Sequence, residues 1–226
     1  MLLHLIPILI VGAVSLAIIV ERVQALYWKY PINTHVFLAE VKQKILANDL
    51  TSAINYCSNQ KEALAARVVK GGLLRSSRDN KQIQAALEII AHEAIGNARK
   101  RVAYLAMIAN VATLFGLLGT ITGLIKAFGA VANVDAATKS IMLAEGISTS
   151  MNATATGLFV AIPTMIAFSV LQSKANRVTE DIESCAMVTM DLLSARMYRD
   201  EWDDAGNPKN KPMAPVLQMD AAKKAA

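Results

Sequence analysis

The chain has 226 residues, of which 54% are hydrophobic and 18% are charged, and its mean hydropathy is +0.37. Together with long uncharged runs, this hydropathy is typical of integral membrane proteins and argues against an ordinary soluble domain. The net charge of +5 does not indicate nucleic-acid binding, because no basic patch is interleaved with aromatic residues.

Three uncharged runs are long enough to cross a bilayer as helices. They cover residues 1–20, 102–125 and 146–171, and about 20 residues suffice for a helix to cross a hydrocarbon core. Three such runs in so short a chain favour membrane spans over buried helices of a soluble core. In the first run the positive charge follows the apolar stretch, which favours an uncleaved transmembrane helix over a signal peptide.

The basic residues predict the orientation of these spans. Thirteen Lys and Arg lie in residues 22–101, and eight more follow Gln172. The positive-inside rule places both regions in the cytoplasm. The N-terminus and the loop between the second and third runs are then expected on the outer side.

The sequence therefore predicts an all-α membrane protein with three transmembrane helices, two of them long and extending into a cytoplasmic helical region. We assign transmembrane helix 1 to residues 1–21, the cytoplasmic helical region to 22–100, transmembrane helix 2 to 101–131, a short periplasmic loop to 132–141, transmembrane helix 3 to 142–172, a cytoplasmic helix to 173–204 and a disordered tail to 205–226.

Apolar spacing predicts the cytoplasmic elements in more detail. An amphipathic helix is expected over residues 34–57, followed by a second over 62–77 and a turn at 76–80. One side of the first of these helices is expected to carry Val36, Phe37, Val41, Ile45 and Leu46. From Lys81 the helical pattern runs into the second span without a Pro, so one uninterrupted helix is predicted there.

Polar side chains in the second and third spans form the main functional signal. At 100° per residue, Thr149, Asn152 and Thr156 share one face, whereas Thr154 points about 140° away from Thr149. In the second span Thr113 and Thr120 nearly align. Ser and Thr commonly serve helix packing in membranes, but an amide such as that of Asn152 needs a partner there. These polar faces of the two spans are compatible with a polar pathway and with a packed oligomer.

The sequence offers little support for enzyme, cofactor or metal chemistry. It shows no nucleophile–base pair, phosphate loop or metal motif, and Cys57 and Cys185 fall in predicted cytoplasmic segments where a disulfide is not expected. No carboxylate lies in the middle of a span. Because a proton carrier needs a titratable group at membrane depth, a partner chain must supply it if ions pass here.

Two sequence motifs resemble the MotA/TolQ/ExbB proton-channel family, most closely its ExbB/TolQ branch. They are "FGLLGTITGLIKAF" at 115–128 and "AEGISTSMNATATGLFVAIP" at 144–163. The resemblance covers about 100–195 and includes the order of the motifs and the topology. One position departs from it, because Thr149 stands where ExbB and TolQ proteins usually carry a Glu.

The resemblance implies a homopentamer around two single-span helices of the ExbD/TolR type, each carrying a membrane aspartate. The pore threonines of the two family motifs match Thr120 and Thr154, which become the candidate ion-pathway residues. For Thr149, Asn152, Thr156 and Thr113 we expect helix or subunit packing, with a pathway role left open. The transported ion is expected to be H⁺, with Na⁺ as the alternative.

The implied function is that of an ion-channel (stator) subunit of a motor in the bacterial inner membrane, with the N-terminus periplasmic and the C-terminus cytoplasmic. Such a motor uses the proton-motive force to drive work on the envelope, through the ExbD/TolR-like protein and a TonB/TolA-like or other envelope partner. A passive scaffold for partner helices is the main alternative. A small-molecule transporter is disfavoured, since inverted repeats and midplane charges are missing. The envelope process that is driven stays open.

Overall fold

The computed structural model describes residues 2–30, 32–131 and 135–205, and their regular structure consists of seven α-helices and one π-helical turn. The tail predicted at 205–226 lies outside this part except for its first residue. In chain order the elements are α1 (Leu2–Gln24), the π-helical turn (Ala25–Lys29), α2 (Thr34–Leu46), α3 (Leu50–Asn59), α4 (Leu64–Leu73), α5 (Asn80–Arg99), α6 (Val102–Ala130) and α7 (Ala136–Ala205).

Three helical stretches are long and apolar enough to cross a membrane: Ile6–Lys29, Asn80–Ala130 and Thr138–Arg199. This confirms the predicted all-α class with three membrane-spanning helices. α7 alone has 70 residues and continues through Pro163, so the long third helix of the prediction is confirmed as well. Large apolar side chains such as Leu114 and Phe159 are exposed, as side chains in contact with lipid would be.

The largest hydrophobic core lies where α2 to α5 pack against the C-terminal half of α7. Buried side chains from all these helices meet there, among them Phe37, Val41, Val68, Ile83, Leu87, Ile182, Cys185 and Leu193. The core fixes the C-terminal half of α7 to a helical bundle, and α7 carries that connection directly into its membrane-spanning half.

The prediction of a single helix over 34–57 is wrong. α2 ends at Leu46, Asn48 adopts a left-handed backbone with φ 60°, and α3 begins at Leu50. The Asp49 carboxylate accepts a hydrogen bond from the Ser52 amide and caps α3, a common role of Asp at a helix start. The predicted apolar side is correspondingly incomplete: Phe37, Val41 and Ile45 are buried, but Val36 and Leu46 are exposed.

The helix predicted to run unbroken from Lys81 into the membrane is interrupted at Lys100 and Arg101. Arg101 has φ 62°, a conformation that L-residues adopt only at a cost. The buried Arg22 side chain of α1 donates hydrogen bonds to the carbonyl of Lys100 at 3.0 Å and that of Asn97 at 3.4 Å. Glu21 forms ion pairs with Arg22 and Arg101. Contacts from α1 thus hold the break between α5 and α6.

A third difference concerns the connection between the second and third spans. α7 begins at Ala136, so residues 136–141, which were predicted to be loop, are helical. α6 ends at Ala130, as predicted to within one residue. The connection is therefore shorter than expected, and α6 and α7 form a tight antiparallel pair.

Candidate functional site

The antiparallel helices α6 and α7 approach each other closely because glycines lie where they cross. A Cβ atom at Gly157 would stand 2.7 Å from the Ala112 carbonyl oxygen and 2.9 Å from the Cα of Gly116. Towards the α6–α7 connection, a Cβ atom at Gly123 would collide with Ser150. Small residues of this kind let membrane helices approach to backbone contact. In the two sequence motifs, this role belongs to Gly116, Gly123, Gly146 and Gly157.

Thr154 lies in this close contact between the two helices. Its hydroxyl donates a hydrogen bond to the Gly116 carbonyl of α6 at 3.1 Å. The Thr120 hydroxyl donates to the Leu117 carbonyl of its own helix at 2.7 Å. Since Thr120 is one turn beyond Gly116, the two threonines differ in height by about 6 Å along the helix axis. Both hydroxyl protons are engaged, but each oxygen keeps lone pairs that can accept a hydrogen bond.

A groove of about 400 Å³, partly lined by polar side chains, opens beside this contact, between α6 and the first half of α7. Thr149, Asn152 and Thr156 line it together, so the three side chains that share a helical face also share a surface. Lys126 and Glu145 line the part of the groove nearest the α6–α7 connection. We call this surface the α6–α7 groove.

Some polar side chains in the α6–α7 groove have a hydrogen-bond partner and others do not. The Thr156 hydroxyl donates to the Asn152 carbonyl and the Ser150 hydroxyl to the Gly146 carbonyl. Within the described part of the chain, the side chains of Thr149 and Asn152 make no hydrogen bond. At membrane depth an unpaired amide costs free energy. Asn152 and Thr149 therefore call for a partner outside the single chain, such as water or another helix.

Thr113 is separate from these residues. It is exposed on α6, and its hydroxyl donates to the Ala109 carbonyl at 3.1 Å, as Ser and Thr often do in membrane helices. It does not line the α6–α7 groove. The structure therefore brings together Thr149, Asn152 and Thr156, and leaves Thr113 on another face.

A buried polar pair that was not predicted from the sequence ties α1 to α7. The hydroxyl oxygens of Ser15 and Thr164 lie 3.2 Å apart, and both side chains are buried. Ser15 donates to the Gly12 carbonyl, so the Thr164 proton is shared between Ser15 and the Val160 carbonyl. The sequence signal for this contact was the small Gly12 and the polar Ser15 inside the otherwise apolar first run.

The spans around the site are uncharged, and charged residues flank them. Between Val102 and Ile125 and from Gly146 to Leu171 the chain has no Asp, Glu, Lys or Arg. Glu145 and Lys126 flank these runs. In the described part of the chain no three His, Cys, Asp or Glu side chains are placed to hold a metal ion. The chemistry available at depth is thus hydrogen bonding by hydroxyl, amide and carbonyl groups.

Comparisons with known proteins point to one family. Over 96 residues the chain is 36% identical to "Tol-Pal system protein TolQ" of Haemophilus influenzae, covering 42% of each chain. Over 79 residues it is 35% identical to "Biopolymer transport protein exbB1" of Vibrio cholerae, covering 35% of each chain. A longer alignment, 24% identical over 204 residues, covers 89% of the chain and 78% of "Putative biopolymer transport protein ExbB-like 1" of Synechocystis sp..

The chain thus spans between about one third and two fifths of the length of the first two of these relatives. The model of the MotA/TolQ/ExbB proton channel family matches residues 58–184, which include α4 to α6, the α6–α7 groove and most of α7. Its named relatives carry TolQ and ExbB names. On this evidence the chain belongs to the MotA/TolQ/ExbB proton channel family, on its ExbB/TolQ side.

Proposed function

We propose that this chain is the ion-channel subunit of a motor in the bacterial inner membrane, and that the motor uses the proton-motive force to drive work on the envelope. In this proposal several copies, five by analogy with the family, surround single-span partner helices of the ExbD/TolR type. The N-terminus is periplasmic and the bundle of α2 to α5 is cytoplasmic. The basic residues of 22–101 support that orientation.

The observation that carries the proposal is the combination of polar groups and missing charge at membrane depth. α6 and α7 present hydroxyls and an amide beside a close helix contact, but the uncharged runs 102–125 and 146–171 contain no carboxylate. A proton pathway needs a group that gains and loses a proton. A partner helix that brings an aspartate to this surface would complete the pathway, whereas this chain alone would conduct poorly.

Thr120 and Thr154 are the residues that we assign to the pathway. Because their protons are already donated to backbone carbonyls, their oxygens are oriented to accept a hydrogen bond from a protonated carboxyl group. When the carboxyl loses its proton, that hydrogen bond is lost without leaving a buried charge on this chain. The energy available from ion flow is of the right size for this exchange of hydrogen bonds. One charge crossing 100 mV releases about 2.3 kcal/mol, which is comparable to the free energy of a few hydrogen bonds.

A passive scaffold is the second candidate, and a specific observation favours it. The Thr154 hydroxyl joins α6 to α7, and the hydroxyls of Thr113, Thr120 and Thr156 donate to carbonyls of their own helices. These bonds are also what helix packing alone would produce. The two candidates differ in whether ion flow depends on the hydroxyls.

Proton flux in reconstituted vesicles tests the proposal. The chain is purified with the ExbD/TolR-like protein of the same organism, and acidification of the vesicle interior is followed under an imposed potential. We expect flux with the wild-type partner and none when its membrane Asp is replaced by Asn. Replacing H⁺ by Na⁺ as the permeant ion distinguishes the two ions. Equal flux with the Asp and Asn partners would contradict the proposal.

A further inference from the structure

One large cavity in the described part of the chain has no role in the proposed ion pathway. It is a groove of about 780 Å³ between α5 and α7, in the half of α7 that carries the helical bundle. Its floor is apolar, with Leu87, Ala91, Ile95, Ala186, Met187 and Met190. Met187 is 68% exposed, which is unusual for a methionine beside a core. We call this cavity the α5–α7 groove.

The rim of the α5–α7 groove is acidic. Glu88, Glu183 and Asp191 line it, and its described lining includes no Lys or Arg, so the groove carries a formal charge of −3. Lining of this kind fits a segment that combines a few apolar side chains with positive charges. Pockets of about 300–1,000 Å³ hold ligands of modest size, so the volume suits a short peptide segment better than a whole helix.

We propose that the α5–α7 groove binds the chain's own C-terminal segment, residues 206–226. This segment carries four lysines and one aspartate, a net charge of +3. Between its first and second pair of lysines lie the apolar side chains of Met213, Val216, Leu217 and Met219. The segment thus matches the groove in both respects: apolar side chains for the floor and positive charge for the rim.

The length of chain after α7 permits this contact. Ser194, at one end of the groove, lies eleven residues before the end of α7 at Ala205, which is about 16 Å along a helix. Met187 lies 18 residues before Ala205, about 27 Å along the helix. Leu217 lies twelve residues beyond Ala205, and twelve extended residues reach about 40 Å. The apolar part of the segment can therefore turn back and lie over Met190 and Met187.

Tethering favours this segment over other occupants of the α5–α7 groove. A segment on a short flexible connection acts at an effective concentration of about millimolar, so modest contacts are enough to keep it bound. A contact between the segment and Met187 is the direct test, because Met187 lines the groove itself.

Cross-linking in the full-length chain tests the proposal. The double variant Met187→Cys/Leu217→Cys is treated with a short bismaleimide in membranes. The control is Ile89→Cys/Leu217→Cys, because Ile89 is 70% exposed on α5 and does not line the groove. The native Cys57 and Cys185 are buried and can remain. We expect a cross-link within one chain at Met187, at severalfold higher yield than at Ile89.

Charge reversal provides the second readout. Glu183 and Asp191 are both exposed, so Glu183→Lys/Asp191→Lys should leave the fold intact and lower the cross-linking yield severalfold. Adding Lys209→Glu/Lys211→Glu should restore it. Equal yields at Met187 and Ile89, an unchanged yield after charge reversal, or products of dimer size, which would place a second copy in the groove, would each overturn the proposal.

Discussion

The contact between α6 and α7 leads to a prediction about Gly157. An alanine Cβ at this position would lie 2.7 Å from the Ala112 carbonyl oxygen and 2.9 Å from the Cα of Gly116. Both are backbone atoms of α6, so no side chain can rotate away to make room. Since favourable contacts between carbon atoms begin at about 3.5 Å, the two helices must separate by about 0.5–1 Å in Gly157→Ala.

The matched control is Gly96→Ala on α5, where an added Cβ meets no atom within 4 Å. Alanine stabilises a helix by about 0.5–1 kcal/mol relative to glycine, and both variants receive this gain. Overpacking costs about 1–3 kcal/mol and applies to Gly157→Ala alone. The free energy of unfolding of the two variants should therefore differ by about 1–3 kcal/mol.

Thermal unfolding of the purified chain in mild detergent measures this difference. For a chain of this size, 1 kcal/mol shifts Tm by about 2–4 °C. We expect Gly96→Ala to melt at or above the wild-type temperature, and Gly157→Ala between about 2 and 12 °C below Gly96→Ala. Separation of the helices should also break the bond from Thr154 to the Gly116 carbonyl. If both variants shift Tm equally, the argument for backbone contact at Gly157 is wrong.

Four further predictions concern other parts of the chain. Burial raises the pKa of the Cys57 thiol to about 11, so Cys57 in the folded chain should resist maleimide at pH 8. The stability of the folded chain should fall as the pH rises from about 8.5 towards 11. The reason is that the thiol ionises at a lower pH in the unfolded chain than in the folded one. Arg22→Met removes the donor to two carbonyls and should cost about 1–3 kcal/mol, seen as a lower Tm. Thr149→Val should reduce proton flux less than Thr154→Val does; the opposite order would show that the α6–α7 groove, rather than the helix contact, carries the ion. A cysteine in place of Lys61 should react with an impermeant reagent only after the cells are opened, and labelling in intact cells would contradict the proposed orientation.

The sequence predicted the membrane-spanning part of the fold well, because that part is governed by local composition. Helix 2 was expected at 101–131, and α6 covers Val102–Ala130. Uncharged runs of sufficient length leave a chain in lipid few options other than a helix. The shared face of Thr149, Asn152 and Thr156 followed from helix geometry in the same way.

The breaks in the helices were harder to predict, for different reasons. At Asn48 and Asp49 the signal was present, since Asn tolerates a left-handed backbone and Asp caps helices, but it was outweighed by the apolar spacing around it. At Arg101 there was no local signal. The break there is held by Arg22 and Glu21 of α1, nearly 80 residues away in sequence, and such a contact exists only in the folded chain.

The roles of the individual threonines were also beyond prediction from spacing alone. A helical wheel separates Thr154 from Thr149, but it does not say that Thr154 donates to the carbonyl of Gly116 on α6. It also does not say that Thr149 and Asn152 lack hydrogen-bonding partners within the described part of the chain. The bond of Thr154 depends on how closely α6 and α7 approach, which Gly116 and Gly157 permit.

The central claim is that Thr120 and Thr154 together serve one carboxyl group of the partner. It is tested most directly by proton flux through vesicles that contain the partner and Thr120→Val, Thr154→Val or the double variant, each at wild-type amounts in the membrane. Each single change should lower the flux, and the double change should cost less than the sum of the two, because residues that share one partner are not additive. Wild-type flux through the double variant would remove both residues from the ion pathway and leave the scaffold as the better account.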